Sequence, residues 1–444
     1  MGKNQEEFDL LNKSFDDLFP IMRSITGPGI EKSFEILGKH MPLEIEKCKT
    51  GTSVFDWTVP PEWHFERARL WGPDGKLICD TDDLNLHVVN YSEPIEVTLP
   101  LSELQNHLHS LPDLPDAVPY VTSYYNRTWG FCLSEKQRSA LKDGDYKVEI
   151  KSEFVDGGVP FAQSLLKGET DREILFTSYL CHPSLANNEL SGPLALLALY
   201  NRIKSWKNRK YTYRFLLNPE TIGSICFLSR YHEHLKDNLE AGLILTCVGG
   251  PKEKIRIKSS RDGNSIFDQI FNYKSFTQPE KWQVTPFSPI HGSDERQFCA
   301  PGLNLPMGQV SRTVYGEYDG YHNSLDTKEF MTIESVISSV DQIEEMLIMM
   351  EKAEYPINQA PYGEPQLGKR DLYPSINSQH TWTASSDERF DGRVILNRIL
   401  TLLNYADGKN SLYEIARKCE CTLDDLKPVV DRLSEEGLIK FKPE

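Results

Sequence analysis

The sequence predicts an α/β protein in which a mostly parallel sheet carries helices on both faces, with a small inserted β-rich domain and a C-terminal winged helix. Three observations predict this architecture. Short apolar runs alternate with longer helical stretches over residues 148–353, which is typical of parallel α/β sheets. The residue pattern becomes typical of β-strands between residues 46 and 147, and short helical patterns return after residue 388. The length of 444 residues allows about two or three domains of ordinary size.

The N-terminal segment, residues 1–45, contains two stretches with apolar residues at helical spacing, 5–23 and 30–41. We therefore predict that this segment and residues 148–353 form one α/β domain. Residues 46–147 show alternating apolar positions, turn residues and a proline-rich stretch. This pattern predicts an inserted β-rich domain.

Within residues 148–353 the apolar runs predict strands and the helical spacing predicts helices. The strands are predicted at 174–180, 213–217 and 242–248, and the helices at 191–206, 224–235 and 332–350. Strands that are apolar throughout indicate a sheet covered on both faces.

The C-terminal region divides into a linker and a small domain. Residues 354–388 are rich in Pro, Gly, Asn, Gln and Ser, and residues 389–444 contain three short helical patterns and a final strand pattern, as in a winged helix. Residues 365–444 hold 12 Lys and Arg against 13 Asp and Glu, and the helix that would enter a DNA groove is acidic. Phosphate backbones repel such a surface. We therefore predict a protein partner or a homo-oligomer contact here, with a transcription regulator as the alternative.

The composition disfavours several classes of protein. A net charge of −16 disfavours nucleic-acid binding, and 39% hydrophobic residues exclude a disordered chain. No apolar run approaches the roughly 18 residues of a membrane span, so we expect no membrane partner. The first residues have neither a basic start nor an apolar core, and the 9 cysteines form no CxxC pair. We therefore expect a cytoplasmic location with reduced thiols.

Polar residues follow two of the predicted strands directly. His182 lies just past the strand at 174–180, Asn188 precedes a helix that Ser191 is expected to cap, and Glu220 follows the next strand. Ligands of open α/β sheets bind at the carboxyl ends of the strands, where a His can ligate a metal and a Glu can act as general base. A single His in such a place is more often structural, and the helix dipole explains a Glu near a helix start equally well.

Two later blocks, at 292–298 and 320–327, carry further polar residues, and the joint order of the blocks is more informative than any one of them. CHPSLANNELSG, NPETIGS, GSDERQF and YHNSLDT together resemble the motifs of the co-catalytic zinc aminopeptidases. More closely, nearly the whole chain resembles aminopeptidase-like proteins often labelled as polysaccharide-biosynthesis proteins. These proteins combine an inserted β-domain with a C-terminal winged helix.

The resemblance implies a metal site. His182 and His322 stand at ligand positions of the family's two zinc ions, and Glu220 stands at the position of the general base. Neutral residues occupy the family's other acidic ligand positions, namely Asn188, Thr221 and Thr246. Two Zn²⁺ ions about 3.5–4 Å apart need carboxylates around them, so these neutral residues disfavour a di-zinc centre. One Zn²⁺ on the two histidines, with either Glu220 or the carbonyl oxygen of Asn188, remains feasible.

Further residues are candidates for substrate binding. Arginine forks suit a carboxylate or phosphate, which indicates Arg127, next to Trp129, and Arg296, although a surface ion pair is the more frequent explanation of any one arginine. Asp294, Glu295 and Tyr321, in the motif loops, complete the set. If Glu220 is a metal ligand, the alternative bases are Glu189, Asp294 and Glu295.

The resemblance implies a metal-dependent hydrolase that cleaves an amide or peptide bond of a small-molecule or peptide substrate. In this hypothesis His182 and His322 hold one Zn²⁺, Asn188 adds an oxygen, and Glu220 accepts a proton from the attacking water. The alternative is a catalytically degenerate binding protein with a peptidase fold in a surface-polysaccharide pathway. The loss of acidic ligands favours this alternative, because a fold alone does not establish an activity.

Overall fold

The computed structural model describes residues 3–373 and 392–442. The chain forms two compact units, one reaching residue 262 and continuing over 285–344, the other made of 263–284 and the residues from 345 onward. None of the helices in the described ranges is both long and apolar enough to cross a membrane.

The helices and strands are numbered along the chain and have the following bounds. The helices are α1 Lys3–Leu18, α2 Pro28–Gly38, α3 Leu101–Leu104, α4 Glu135–Ser139, α5 Ser191–Lys204, α6 Ile222–Asn238, α7 Ile266–Thr277, α8 Glu295–Phe298, α9 Ile333–Glu351, α10 Gly392–Tyr405, α11 Leu412–Lys418 and α12 Leu423–Glu435. The strands are β1 Glu44–Lys49, β2 Ser53–Val54, β3 Trp57–Thr58, β4 Glu62–Trp71, β5 Leu77–Asp80, β6 Ile95–Pro100, β7 Leu108–His109, β8 Phe131–Cys132, β9 Asp145–Val155, β10 Gly158–Leu166, β11 Glu173–Tyr179, β12 Thr212–Asn218, β13 Leu239–Leu245, β14 Ile255–Lys258, β15 Trp282–Thr285, β16 Met307–Ser311, β17 Pro356–Asn358 and β18 Ile439–Phe441.

The main sheet of the first unit runs in the order β1, β10, β12, β11, β13, β16, β14. The central strands β12, β11, β13 and β16 are parallel, and the strands outside them pair antiparallel. Every residue of β11 and of β12 is buried, because helices cover both faces of a sheet of this kind. The predicted mostly parallel α/β fold is confirmed, and the carboxyl ends of its parallel strands lie along one edge.

The helix after β11 begins differently from the prediction. Ser191 was expected to be its N-cap, but the residue before it, Leu190, already has helical backbone angles, and a π-helical turn at Ala186–Leu190 leads into α5. An N-cap residue is extended, so Ser191 cannot take that role. Its hydroxyl donates instead to the carbonyl of Asn187 and accepts from the backbone N–H of Val248 at 3.0 Å.

The inserted region contains its own antiparallel sheet, in the order β5, β4, β9, β6. Its core includes the buried residues Leu70, Leu104, Phe131, Tyr146 and Val148. The predicted boundaries at residues 46 and 147 fall inside strands, because β1 pairs with β10 of the main sheet and β9 pairs with β4 and β6 of the insertion. A strand that continues from one region into the next leaves no break in the apolar pattern.

The second unit contains the winged helix, with helices α10, α11 and α12 and the strand β18. Ser411 accepts a hydrogen bond from the backbone N–H of Glu414, so the predicted cap of α11 is present. The strand β18 pairs antiparallel with β17, which lies inside the segment predicted to be a linker. Residues 374–388 of that segment lie outside the described residues.

Helix α5 packs closely against the main sheet at one glycine, which generates a test of the fold. A Cβ atom at Gly192 would lie 2.2 Å from Ser178 Oγ and 2.3 Å from the carbonyl oxygen of Leu245. We expect Gly192→Ala to lower the free energy of unfolding by about 1–3 kcal/mol, since the backbone of β13 cannot move aside. Urea unfolding measures the change. Gly38→Ala is the control, because a Cβ there meets nothing within 4 Å; equal stability of the two variants would contradict this packing.

Candidate active site

His182 lies three residues after β11, at the carboxyl edge of the sheet. Its Nδ1 donates to Glu189 Oε2 at 2.7 Å, and Glu189 is fully buried. Arg23, which is also fully buried, donates from Nε to the carbonyl oxygen of His182 at 3.1 Å, and this Nε lies 3.7 Å from Glu189 Oε1. The Glu189 carboxylate therefore fixes the orientation of the imidazole and leaves its Nε2 as the atom available to a ligand.

Glu220 faces His182 from the loop after β12. Its Oε2 lies 3.9 Å from His182 Nε2, and its Oε1 accepts a hydrogen bond from Ser293 Oγ at 2.7 Å. The side chain is 29% exposed, so solvent reaches it. Asp294 holds the same loop by accepting from the backbone N–H of Thr221 at 2.7 Å. A partly exposed carboxylate held by a hydroxyl beside an imidazole is suited to accept a proton.

His322 completes the cluster from the loop between β16 and α9. Its ring centroid lies 5.3 Å from that of His182, and Tyr321 stacks on its ring at 4.1 Å. Its carbonyl oxygen accepts from the backbone N–H of Tyr120 at 2.8 Å. The Nε2 atom of His322 is buried and has no hydrogen-bond partner. The structure thus brings together the two histidines and the glutamate that the sequence analysis singled out.

Asn188 occupies the π-helical turn before α5. The Asp326 carboxylate accepts from the backbone N–H groups of Asn187 and Asn188, at 2.8 and 2.9 Å. The Asn188 amide donates to the Tyr179 hydroxyl at 3.0 Å, and that hydroxyl lies 2.6 Å from Thr246 Oγ1. The Oδ1 atom of Asn188 is buried and has no hydrogen-bond partner. Neutral hydrogen-bonding groups therefore fill the place where the resemblance implied acidic ligands.

The backbone is unusual at the ends of the central strands. Ser184, Thr221, Cys247 and His322 follow β11, β12, β13 and β16, and all have left-handed φ angles, between 49° and 62°. Residues with a Cβ atom adopt this region at an energetic cost of about 1–3 kcal/mol when the conformation is strained. Such residues cluster at functional sites, and here they re-aim the loops that carry the candidate ligands.

Burial and neighbouring charges set the protonation of the site. Burial acts to lower the pKa of His182, but Tyr120, Cys181 and Glu189 oppose it and raise that pKa well above its usual value. Burial, together with His182, lowers the pKa of His322 to about 3. Burial, together with Glu220, raises the pKa of Asp294 to about 7. His182 is therefore the protonated imidazole and His322 the neutral one. A metal ion that binds His182 would have to displace the proton of its ring.

The donor atoms at the site are of the kinds that a zinc ion uses. His322 Nε2 and Asn188 Oδ1 are buried without a partner, and such atoms are costly unless a ligand satisfies them. Two imidazoles with an oxygen donor form an ordinary zinc set, and the Glu189 contact to Nδ1 of His182 is the outer contact that ligating histidines usually make. A second ion would lack carboxylates, since Thr221 and Thr246 carry hydroxyls.

Among the His, Cys, Asp and Glu residues of the described ranges, Cys181, His182 and Glu189 have ligand atoms within 4.8 Å of one another, whereas His182, His322 and Glu220 do not form such a group. This grouping lies on the Nδ1 side of His182 and is better explained as structural. Burial raises the pKa of Cys181 to about 11, so its sulfur is a thiol, and Arg23 places a positive charge beside Glu189.

Some of the remaining candidate substrate-binding residues lie near the histidines and others do not. Glu295 is buried in an ion pair with Lys258, and Arg296 donates to the carbonyl oxygen of Ser293 at 3.1 Å, both in the loop that supports Glu220. The structure does not bring Arg127 or Trp129 to the cluster. Arg127 lies over the Phe154 ring at 3.7 Å, and Trp129 stacks on His107 at 3.7 Å, both within the inserted region.

Sequence reasoning missed part of the site. It considered Glu189 only as an alternative base, but the buried contacts to His182 and Arg23 leave it no access to a substrate. Arg23 lies in the connection between α1 and α2, where no local pattern marks it. A signal for Glu189 was present, since it directly follows Asn188 in the motif block.

The fold is similar to that of zinc aminopeptidases. A zinc aminopeptidase from Bacillus subtilis superimposes with a TM-score of 0.56 at 14% identity, over 78% of this chain and 95% of the other. A peptidase M28 precursor from Shewanella amazonensis gives a TM-score of 0.56 at 12% identity, over 78% and 92%. At these identities the likeness shows the fold alone.

Sequence matches are more specific. The family model described as "Domain of unknown function (DUF4910)" matches residues 12–353, and one described as "winged helix-turn-helix" matches 354–441. A Clostridium acetobutylicum protein with the provisional name "polysaccharide biosynthesis protein with aminopeptidase-like domain" is 41% identical over 426 residues, 96% of this chain and 95% of that one. A crystal structure of a provisionally described peptidase from the same species has a TM-score of 0.80 at 38% identity, over 99% and 96%. The chain belongs to the DUF4910 family, with a C-terminal winged helix.

The contact between Glu189 and His182 generates a prediction for the metal-free protein. Removing the negative charge with Glu189→Gln lowers the pKa of His182, because that charge favours the protonated ring. NMR titration of histidine-labelled, chelator-treated protein measures the change.

The control is Glu173→Gln, which removes another buried carboxylate, paired with Arg214 at the opposite end of β11. It leaves the His182 titration unaltered. An unchanged His182 titration in the Glu189 variant would show that the contact does not set its protonation.

Proposed function

We propose that this protein is a metal-dependent hydrolase that cleaves an amide or peptide bond of a small substrate. The observation that carries the proposal is that His182 and Glu220, just after two strands, and His322, in the loop before α9, lie near one another, with His322 Nε2 and Asn188 Oδ1 buried and unpartnered. Unpartnered ligand atoms beside a solvent-accessible carboxylate are suited to metal-assisted hydrolysis.

The proposed ligands of one zinc ion are His182, His322 and Asn188. Bound there, zinc would supply a Lewis acid that polarises the amide carbonyl and lowers the pKa of a water molecule. Glu189 holds the His182 ring at Nδ1, which leaves Nε2 as the atom that would bind the ion. The hydroxyl pair of Tyr179 and Thr246 keeps the Asn188 amide nitrogen engaged, which directs its oxygen to the site.

Glu220 is the proposed general base. Its carboxylate accepts the proton of the attacking water and returns it to the departing nitrogen, which leaves as an amine. Ser293 Oγ holds one carboxylate oxygen at 2.7 Å, so the other is available for the proton. Asp294 and Glu295 support the same loop and are not needed as bases.

A binding protein is the second candidate function. The neutral residues Asn188, Thr221 and Thr246 favour it, because each replaces an anion that a di-metal hydrolase would use. The name of the Clostridium acetobutylicum relative suggests a polysaccharide-biosynthesis pathway as its setting. In this alternative the site binds its ligand without turnover.

The winged helix and the location are further proposals. The exposed face of α12 includes the acidic residues Asp424, Asp431 and Glu435, which repel a phosphate backbone. A protein partner or a second copy of the chain is the proposed contact of this domain. We propose a cytoplasmic location.

A first prediction concerns Glu220. Zinc-loaded protein hydrolyses amino-acyl or N-acyl amide substrates, and Glu220→Gln lowers kcat by about 10²–10⁴-fold, because the amide cannot accept a proton. Stopped assays of amine release measure it, and zinc content by elemental analysis shows that the metal remains. Glu317→Gln is the matched control, since Glu317 pairs with Lys252 and Arg256 away from the histidines. Equal rates in the Glu220 variant and the unmodified protein would exclude Glu220 as base.

A second prediction separates the two candidate functions. Asn188→Asp raises zinc affinity in calorimetric titration, because it replaces the neutral oxygen of a proposed ligand with a carboxylate oxygen. Asn201→Asp, in α5 with its amide on the Leu197 carbonyl, controls for the added charge. If the unmodified protein shows no amide hydrolysis while Asn188→Asp binds zinc more tightly, the binding protein is the correct function. Detectable turnover by the unmodified protein that Glu220→Gln abolishes excludes it.

A further inference from the structure

The buried carboxylates around the histidines are already engaged by hydrogen-bond donors or cations of the chain itself. Asp326 accepts from two backbone N–H groups, Asp294 accepts from Thr221 and Asn218, and Glu295 pairs with Lys258. Glu189 is engaged with His182 and Arg23. Glu189 Oε1 accepts no hydrogen bond but lies 3.7 Å from Arg23 Nε, and donors of the chain already hold the oxygens of the other three.

Glu220 is the remaining carboxylate of the cluster. Its proposed role as general base conflicts with an ion pair to a substrate cation. A carboxylate held in a permanent ion pair with a substrate cation is a weaker base, since the cation lowers its pKa. The side chains at the other expected acidic positions, Asn188, Thr221 and Thr246, offer no charge. Asp319, in the loop before Tyr321, is exposed, and an ion pair in solvent contributes little.

A substrate ammonium group would therefore be poorly accommodated here. Moving a cation out of water costs several kcal/mol unless an anion compensates it. The Arg23 guanidinium and any bound metal ion add positive charge to the same region. The electrostatics thus favour a substrate that is neutral next to the bond that is cleaved.

Aromatic rings supply the contact surface instead. Tyr321 stacks on His322, and Tyr315, which is 38% exposed, lies 5.7 Å from Tyr321 between ring centroids. Tyr120 packs against both histidines, at 4.9 and 5.5 Å. Partly exposed rings offer flat apolar faces with polar edges, which suit a ring-shaped neutral ligand.

From these observations, and resting on the proposed function, we infer that the substrate is an N-acylated amine without a free ammonium group beside the scissile amide, carrying a ring that stacks on Tyr321 and Tyr315. Water adds to the acyl carbon, the C–N bond breaks, and the products are a carboxylate and an amine. Glu220 transfers the proton from the water to the departing nitrogen. Two sources fit this chemistry, an N-acyl amino sugar and an N-acyl aromatic amine.

The first test compares matched substrates on zinc-loaded protein. Leucine p-nitroanilide carries an ammonium next to the scissile amide, and N-acetyl-leucine p-nitroanilide does not. The N-acetyl form is expected to have a kcat/KM at least about tenfold higher, since the charged form leaves a cation without a partner. Release of acetate from N-acetylglucosamine and from acetanilide then distinguishes the two sources. A higher kcat/KM for leucine p-nitroanilide, or equal values, would overturn the inference.

The second test measures binding, so that it stands even if no substrate is turned over. Calorimetry compares N-acetylglucosamine with the cationic glucosamine, and acetanilide with benzylamine. Tighter binding of the neutral member in at least one pair supports the inference, whereas tighter binding of the cations, or no binding by any probe, contradicts it. Absence of hydrolysis with selective neutral binding would remove the proposed function and leave the ligand class intact.

Two substitutions make the test specific to the named residues. Thr246→Asp adds an anion beside Tyr179 and is expected to shift the preference toward the cationic probe, while Thr246→Ser leaves it unchanged. Tyr321→Ala is expected to weaken neutral-probe binding or raise KM with little change in kcat, and Tyr321→Phe restores it. If the Thr246→Asp variant still unfolds cooperatively but its preference between neutral and cationic probes does not change, the proposed electrostatic preference is wrong. If Tyr321→Ala binds the neutral probe as tightly as the unmodified protein does, the proposed stacking is wrong.

Discussion

The parallel pairing of β11 with β12 is the constraint on which the site depends. The register sets Tyr179 opposite Asn218, so both strands end at the same edge and their following loops leave side by side. His182 and Glu220 are each within three residues of those ends, and their side chains are 3.9 Å apart although 38 positions of chain separate them. The strands β13 and β16 add Thr246 and the His322 loop to the same edge. Sheet topology therefore does most of the assembly, and the loops only adjust it.

Within that frame, the chain satisfies charge by internal pairing. Arg23, Glu189 and His182 form one buried group in which the arginine offsets the glutamate and the glutamate holds the imidazole. Tyr179, Thr246 and Asn188 form a second group linked through hydroxyls and an amide. Hydrogen bonds of neutral groups cost little to bury when they are complete. The site consequently carries less negative charge than the ligands of a di-metal centre would. It depends more on how the hydrogen bonds orient His182 and Asn188.

Much of this could be predicted from the sequence, because apolar strands and the polar residues directly after them are local patterns. The positions of His182 and Glu220 at strand ends followed from that pattern, whereas His322 was indicated by its motif block and the family resemblance. The partner of Glu189 could not be predicted, since Arg23 reaches it from a connection between two helices with no polar signal of its own. Ser191 failed as a cap because a π-helical turn precedes it, and helical periodicity alone does not reveal such a turn. Arg127 and Trp129 found partners inside the insertion.

The left-handed residues that follow the central strands have a consequence for the evolution of this chain. Glycine would adopt the conformations of Ser184, Thr221 and Cys247 without steric conflict, yet side chains are present at all of them. Substitutions that relieve this strain would raise the stability of the protein and at the same time give the ligand-bearing loops more conformational freedom. Selection for stability and selection for precisely oriented ligand residues thus oppose each other at these turns. We therefore expect thermostable relatives to differ from this chain more often at these turns than in the strands of the sheet.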